Sequence, residues 1–422
     1  MIQSLKGMPD ILPKDIHRWH EVESTLKNLF TLYSYEEIRT PLLESTDLFS
    51  RSVGTGTDIV EKEMYTFVDR NGDSISLRPE GTASVVRAYN QHHLGHSASL
   101  VRLYYMGPMF RHERPQKGRY RQFFQVGIEA LGKSNSEVDA EVINILYDIG
   151  LHFKLESPIL QINSVGDYVC RTPYQNLLSQ FLVTHQEALC ETCQKRITTN
   201  PMRVFDCKNS TCQEVILAAP LIFDHLCKDC LSHFEILTKQ LDLLKIPYVL
   251  NKQIVRGLDY YTRTAFEMTA GGLGSQNAVG AGGRYDLLVE QCGGEPTPAV
   301  GFALGMERLL LSATNISDHK PIQICILPLQ GEYESKASLL AQKLRSELPK
   351  DRQISIASLV GTKSIKAGMR QANKMSARYV ILLGENEVKN KSATLKNMTT
   401  HGQQEIEQTK LVSFILGEID GK

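Results

Sequence analysis

The sequence predicts an α/β protein: an antiparallel sheet with helices, interrupted by a helical insertion over about 168–250 and followed by a smaller α/β domain over 321–422. Three observations carry this. Two β-rich runs, SLVRLYYMGPMFRHE (99–113) and RQFFQVGIEALG (121–132), flank a short charged loop, the pattern of a long hairpin. Six of the nine cysteines crowd between Cys190 and Cys230, in a helical stretch that separates two strand-rich regions. Beyond residue 320, IQICILPL, ISIASL and YVILLG alternate with helical segments, as in a mainly parallel sheet.

Each element follows from local pattern. Helical spacing of apolar residues in IHRWHEVESTLKNLFTLY predicts an amphipathic helix over 16–33. Pro41, in EEIRTPLLES, breaks that pattern and marks a junction. MYTFVDRNGDSISLRP (64–79) reads as strand, Asn71-Gly72-Asp73 turn, strand. Thr82 is the expected N-cap of the helix TASVVRAYNQ, and a further helix is expected over 137–155. Strands resume in YVLNKQIVRGLDYYTRTAFEMTA, pass the glycine-rich GGLGSQNAVGAGGRY and end at AVGFALGMERLLL. SATNISDHK is the expected linker, dividing residues 1–318 from 321–422. In the second part, helices are expected at 333–348, 364–376 and near 404–418.

Composition narrows the function. A chain of 422 residues is long enough for two or three domains, and 42% hydrophobic with 22% charged residues is ordinary for a globular protein. Lys+Arg and Asp+Glu both number 47, so any surface for a polyanion must be local. No apolar run reaches the length of a membrane span, and MIQSLKGMPDILPKD lacks a signal-peptide core. Nine cysteines then read as reduced thiols, and a cytoplasmic protein without membrane contact is expected.

The strongest chemical signal is FRHERPQKGRYRQFFQVGIE (110–129). Arg111, Arg114, Lys117, Arg119 and Arg121 share a short loop with only Glu113 to neutralise them. Such a run is commonly solvated surface, but guanidinium forks also bind phosphate oxygens at two points. Strand alternation places Gln125, Gly127 and Glu129 on one face, with Gly127 leaving a gap, which suits a pocket better than a core. LRPEGTA (77–83) sets Glu80 and Thr82 at a strand-to-helix turn, in reach of a ligand ammonium group or as ordinary capping. Arg308, in VGFALGMERL, opens a helix, either as a surface cation or as a ligand contact. RGLDYYTRTAFE (256–267) joins Arg256 to a Gly turn and to Tyr260-Tyr261, too charged for a core strand and too aromatic for a common loop. Cys190-x-x-Cys193 and Cys227-x-x-Cys230, with Cys207 and Cys212 between, have structural-zinc spacing. The two pairs stand farther apart than the usual short loop, so thiols without metal are expected. Residues 361–396 hold eight Lys+Arg against two Asp+Glu, a patch suited to an RNA backbone.

Together these stretches resemble the class II aminoacyl-tRNA synthetases: Pro41 fits motif 1, FRHE…RQF…E motif 2 and GFALGMERL motif 3. The resemblance to the histidyl-tRNA synthetase family is closer and covers nearly the whole chain. It rests on LRPEGTA, FRHERPQKGRYRQF, RGLDYYTRTAFE, AGGRYD and SIKAGMRQANKMSARYVILLGENE, in that family's order. It implies a class II catalytic domain over 1–318, an anticodon-binding domain over 321–422, and ATP-dependent activation of L-histidine to histidyl-adenylate, with transfer to the 3′ end of tRNA(His). ATP with Mg²⁺, and a homodimer with motif 1 at its interface, come with it. By the same resemblance, Arg256, Arg111 and Arg308 act at the reaction centre. Glu80, Gly81, Thr82 and Gln125 hold the α-ammonium and orient the carboxylate. Glu129 and a hydroxyl of Tyr260 or Tyr261 grip the imidazole, and Arg114 and Gln116 meet tRNA. The family's insertion often has no metal, and none is expected here. The competing reading is a non-catalytic relative, such as the histidine-sensing subunit of ATP phosphoribosyltransferase, which typically lacks the last domain and the motif arginines. His93-Leu-Gly-His96 and Lys374-Met-Ser376 imitate the HIGH and KMSKS elements of class I synthetases, but neither sits in the strand context those elements need.

Overall fold

The computed structural model describes residues 1–54, 57–274, 277–316 and 321–420. Residues 275 and 276 of the glycine-rich stretch and 317–320 of the expected linker lie outside them. The chain divides into two compact units, Met1–Ser317 and Asp318–Lys422.

The first unit is organised by an eight-stranded sheet. Its order is Glu36–Glu37, Val101–Phe110, Gln122–Leu131, Ala299–Gly305, Ala278–Arg284, Thr262–Thr269, Ile159–Ser164 and Val249–Leu250. All pairings are antiparallel except the two at the edges. The expected long hairpin is its backbone, in register from Val101 opposite Leu131 to Phe110 opposite Gln122. Period-two alternation sorts its side chains. Val126, Ile128 and Ala130 join Phe266, Phe302 and Leu304 in a core capped by the helices Ile16–Leu32, Ser136–His152 and Lys228–Leu243. The opposite face bears Gln125, Gly127 and Glu129 and meets the Thr82–Gln91 helix. A smaller three-stranded sheet holds Leu43–Ser45, Ser74–Leu77 and Tyr65–Val68. Its Asp69–Asp73 turn closes through Asp69 N–H to Asp73 O at 2.9 Å, with Gly72 at φ 92°.

The insertion is helical as expected, with helices Tyr168–Thr184, Glu191–Thr199, Ser210–Leu217 and Lys228–Leu243. RGLDYY itself is not strand; the strand starts at Thr262. Thr82 is not the N-cap either. Gly81 takes that position, and the Glu80 carboxylate accepts the N–H groups of Thr82 (2.7 Å) and Ala83 (2.8 Å), freeing the Thr82 hydroxyl.

The second unit carries a five-stranded sheet ordered Ile354–Ser358, Ile322–Pro328, Tyr379–Leu383, Ser392–Asn397, Gln403–Glu407. Only the first three strands are parallel; the last two add an antiparallel hairpin, so the sheet is mixed rather than mainly parallel. The helix expected near 404–418 is correspondingly shorter, Leu411–Asp420. QQEIE has helix-forming residues, but the Asn397 carboxamide turns the chain by accepting the N–H groups of Thr399 and Thr400, and Ile406 alone faces inward. The helix Ile365–Lys374 packs closely on the sheet through Gly368 and Ala372, leaving Lys366, Arg370 and Lys374 exposed at i, i+4 spacing.

Candidate active site

Glu129 lies buried on the sheet floor of the first unit. One carboxylate oxygen accepts from the Thr82 hydroxyl at 2.7 Å; the other accepts from the Tyr285 hydroxyl. Burial is the main cause that pushes its pKa up, to about 8. Its polar partners are hydroxyls rather than a cation. Gly301 on the next strand makes room for it, since a Cβ there would fall 1.9 Å from Glu129 Oε2. The gap expected at Gly127 is filled by the Tyr105 ring, which a Cβ at either Gly127 or Gly81 would strike. The Tyr105 hydroxyl points to Gln125 Oε1 at 3.4 Å, and the same oxygen accepts the Gly81 N–H at 3.1 Å. Tyr260 and Tyr261 are buried against each other, centroids 4.7 Å apart, and Tyr260 meets Tyr285 edge-on at 5.6 Å.

Thus Glu80, Gly81, Thr82, Gln125, Glu129, Tyr260 and Tyr261 gather in one buried or half-buried cluster. The phenol that bonds Glu129 belongs to Tyr285, at the end of AGGRYD. Tyr105 and Tyr285 were missed because the sequence shows them only as a strand tyrosine and as the end of AGGRYD. Two glycines opposite a tyrosine signal a ring-over-backbone contact, but only once strand register is known.

The arginines take distinct positions. Arg256 lies over the Tyr261 ring at 5.2 Å and 3.3 Å from Glu267, while its buried Nε has no protein partner. Arg111 donates to Pro79 O at 2.8 Å, just before Glu80, and lies 5.2 Å over Phe123. Arg308 is half-buried, not on the surface, and donates to Gly118 O (2.9 Å) and Ala278 O (2.6 Å). Glu113 pairs with Arg119 at 3.0 Å and stands 3.9 Å from Arg111. Arg114, Gln116 and Lys117 are exposed at the loop tip, where Gly118 at φ 70° closes a tight turn from Gln116 to Arg119.

A second polar cluster braces this floor. Arg284, fully buried, pairs with Asp139 and with Asp286; Asp139 also accepts from His233 (2.8 Å) and Thr264 (2.5 Å). Burial opposes ionisation of Asp139, but Arg284 and His233 prevail and hold it below the usual carboxylate range. Sheet, Ser136–His152 helix and Lys228–Leu243 helix meet at this carboxylate.

An antiparallel sheet with a basic hairpin loop, a polar floor and an arginine-bearing helix after its last central strand defines the catalytic unit of a class II aminoacyl-tRNA synthetase. The comparisons narrow the class. A family model described as Histidyl-tRNA synthetase matches residues 7–309, and one described as Anticodon binding domain matches 323–418. The chain belongs to the histidyl-tRNA synthetase family. It is 46% identical over 405 residues to the histidine–tRNA ligase of Trichlorobacter lovleyi, covering 96% of each chain. The Desulforamulus reducens histidine–tRNA ligase is 45% identical over 414 residues, covering 97% of this chain and 98% of that one. The crystal structure of apo Staphylococcus aureus histidyl-tRNA synthetase superposes with a TM-score of 0.81 at 38% identity, covering 98% and 99% of the two chains.

Proposed function

We propose that this chain ligates L-histidine to tRNA(His) at the expense of ATP, using one site for both steps. The observation that carries the reading is Glu129, a buried carboxylate ringed by Tyr105, Tyr260, Tyr261 and Tyr285 whose partners are hydroxyls. A ligand that brings ring N–H groups supplies a further donor to this carboxylate, whose remaining lone pairs an apolar analogue would leave unmatched. Histidine fits this requirement.

In the first step the histidine carboxylate attacks the α-phosphate of ATP, giving histidyl-adenylate and releasing pyrophosphate. In the second, the terminal ribose hydroxyl of tRNA attacks the acyl carbon and AMP leaves. No side chain serves as nucleophile. Glu80, Gly81, Thr82 and Gln125 position the α-ammonium and carboxylate. Arg256 offsets negative charge gathering between carboxylate and α-phosphate, and Arg111 and Arg308 neutralise the phosphates. Glu113 lies 3.0 Å from Arg119 and Glu267 lies 3.3 Å from Arg256, so two carboxylates stand among the arginines. Glu113 and Glu267 would be the oxygen donors for Mg²⁺ beside phosphate oxygens, where the ion would supply further charge neutralisation. Arg114 and Gln116 at the exposed loop tip suit contact with the tRNA end.

Residues 1–318 form the catalytic domain, with the insertion over about 168–250, and 321–422 the anticodon-binding domain. The Lys363, Lys366, Arg370 and Lys374 surface supports RNA backbone contact there. A homodimer and a cytoplasmic location complete the reading; among the described residues no helix is long and apolar enough to cross a membrane. The regulatory alternative is disfavoured by the presence of Arg111, Arg256, Arg308 and the second unit together. The test is aminoacylation: labelled histidine should be esterified to tRNA(His) transcript in the presence of ATP. Absence of charging by purified, folded protein would reject the reading.

A further inference from the structure

The insertion's thiols gather into two separate tetrads. Cys190, Cys193, Cys207 and Cys212 form one, and Asp167, Cys170, Cys227 and Cys230 the other; in each, the four potential ligand atoms lie within 4.8 Å of one another. The two C-x-x-C pairs that look like halves of one site in the sequence therefore belong to different sites, and Asp167 and Cys170 join from outside the apparent cluster.

The spacing suits a four-ligand metal site and not disulfides. All these cysteines are unpaired. Cys190 Sγ and Cys207 Sγ stand 3.8 Å apart, against about 2.05 Å for a disulfide. Four sulfurs at about 2.3 Å from a central zinc are separated by about 3.8 Å along each tetrahedral edge. Both tetrads also offer donors to sulfur: Cys190 N–H to Cys212 Sγ at 3.2 Å, and Cys227 N–H to Cys170 Sγ at 3.0 Å. Helix starts converge on them. Cys190 precedes Glu191–Thr199, Cys212 lies in the first turn of Ser210–Leu217, Asp167 caps Tyr168–Thr184, and Cys227 precedes Lys228–Leu243. Four positive helix ends thus face ligands that carry negative charge once deprotonated. Asp167 enters as a carboxylate already fixed by the N–H groups of Val169 (3.0 Å) and Cys170 (3.3 Å).

We propose that each tetrad binds one Zn²⁺, so that two structural zinc ions staple the insertion of every chain. Soft thiolates in a closed four-ligand set select zinc over the hard cations, and the absence of an open position makes both sites structural. A cluster of several irons would hold its cysteine sulfurs farther apart than these. Each cysteine releases its thiol proton to solvent on binding. The Cys₄ ion joins the Glu191–Thr199 and Ser210–Leu217 helices; the AspCys₃ ion joins Tyr168–Thr184 to Lys228–Leu243. The first brace reaches the catalytic loop, because Asn200 donates to Asp259 at 2.7 Å and Arg203 to Arg256 O at 3.1 Å.

The test is metal content of the full chain, purified reduced from zinc-supplemented medium and dialysed against metal-free buffer. Elemental analysis should find two zinc ions per chain and negligible iron. Cys190→Ser and Cys227→Ser should each retain one, and the double variant none, while Cys292→Ser retains both. Zinc-edge X-ray absorption on the unmodified protein, independent of how the variants fold, should show a first shell with sulfur in the majority. Fewer than two zinc ions in the wild type, iron in their place, both ions surviving Cys190→Ser or Cys227→Ser, or a first shell of nitrogen and oxygen alone would overturn the proposal.

Discussion

Burial leaves Glu129 with a pKa of about 8, against 4.5 for the same group in open chain. Between those values the folded state holds a proton that the unfolded state has lost, so unfolding free energy falls as pH rises through the window. Glu129→Gln removes this slope. The melting temperature of the ligand-free variant should gain on the wild type by on the order of 5 °C between pH 5 and pH 9; a constant difference across that range would show that Glu129 does not titrate there. The same variant should weaken histidine binding by about 1–3 kcal/mol and leave ATP binding nearly unchanged, measured by calorimetry with each ligand. Arg256→Ala should slow adenylate formation on the order of 10²–10³-fold with the fold intact, as loss of a cation at developing charge does. Activity within a few-fold of wild type would place Arg256 away from the reaction centre. At this scale, charge and alternation made much of the pocket legible: Gln125 and Glu129 share a face as expected. Tyr105 and Tyr285 were not legible, because their roles arise from cross-strand register, Tyr105 over Gly127 and Gly81, and Tyr285 reaching Glu129 across 156 residues.

Elements in this protein are joined at shared polar atoms as much as through apolar contact. Asp139, on the Ser136–His152 helix, serves Arg284, His233 and Thr264 at once. Asp139→Ala should cost about 3–5 kcal/mol, since it strands a fully buried guanidinium; urea unfolding of the variant is the check, and a loss under 1 kcal/mol would mean that Asp286 and backbone carbonyls suffice for Arg284. The hairpin over 99–132 could be read ahead of the structure because both strands are long and bounded by a charged turn. Gln403–Glu407 could not, because a five-residue edge strand rich in Gln and Glu has helical propensity and only its pairing with Ser392–Asn397 makes it a strand. The thiol tetrads were hidden for a similar reason. Spacing along the chain paired Cys190-x-x-Cys193 with Cys227-x-x-Cys230, whereas helix packing sends each pair to a different site.

At the scale of the whole molecule the two compact units should carry separable tasks. Each has its own apolar core, so a chain ended after residue 316 should fold and keep pyrophosphate exchange, while tRNA charging falls far more. If Lys363, Lys366, Arg370 and Lys374 meet the RNA backbone, added salt should weaken tRNA binding of the intact protein, because such binding would release the RNA's counterions. Equal loss of both activities on truncation would make the second unit a structural brace. The most direct measurement of the central claim is ATP–pyrophosphate exchange by the purified chain, without tRNA, with each of the twenty amino acids in turn. Exchange with histidine alone, slowed on the order of 10²–10³-fold in Arg256→Ala, is the predicted result. Exchange with another amino acid, or none with histidine by folded protein, would contradict the assignment of the Glu129 pocket and its arginines.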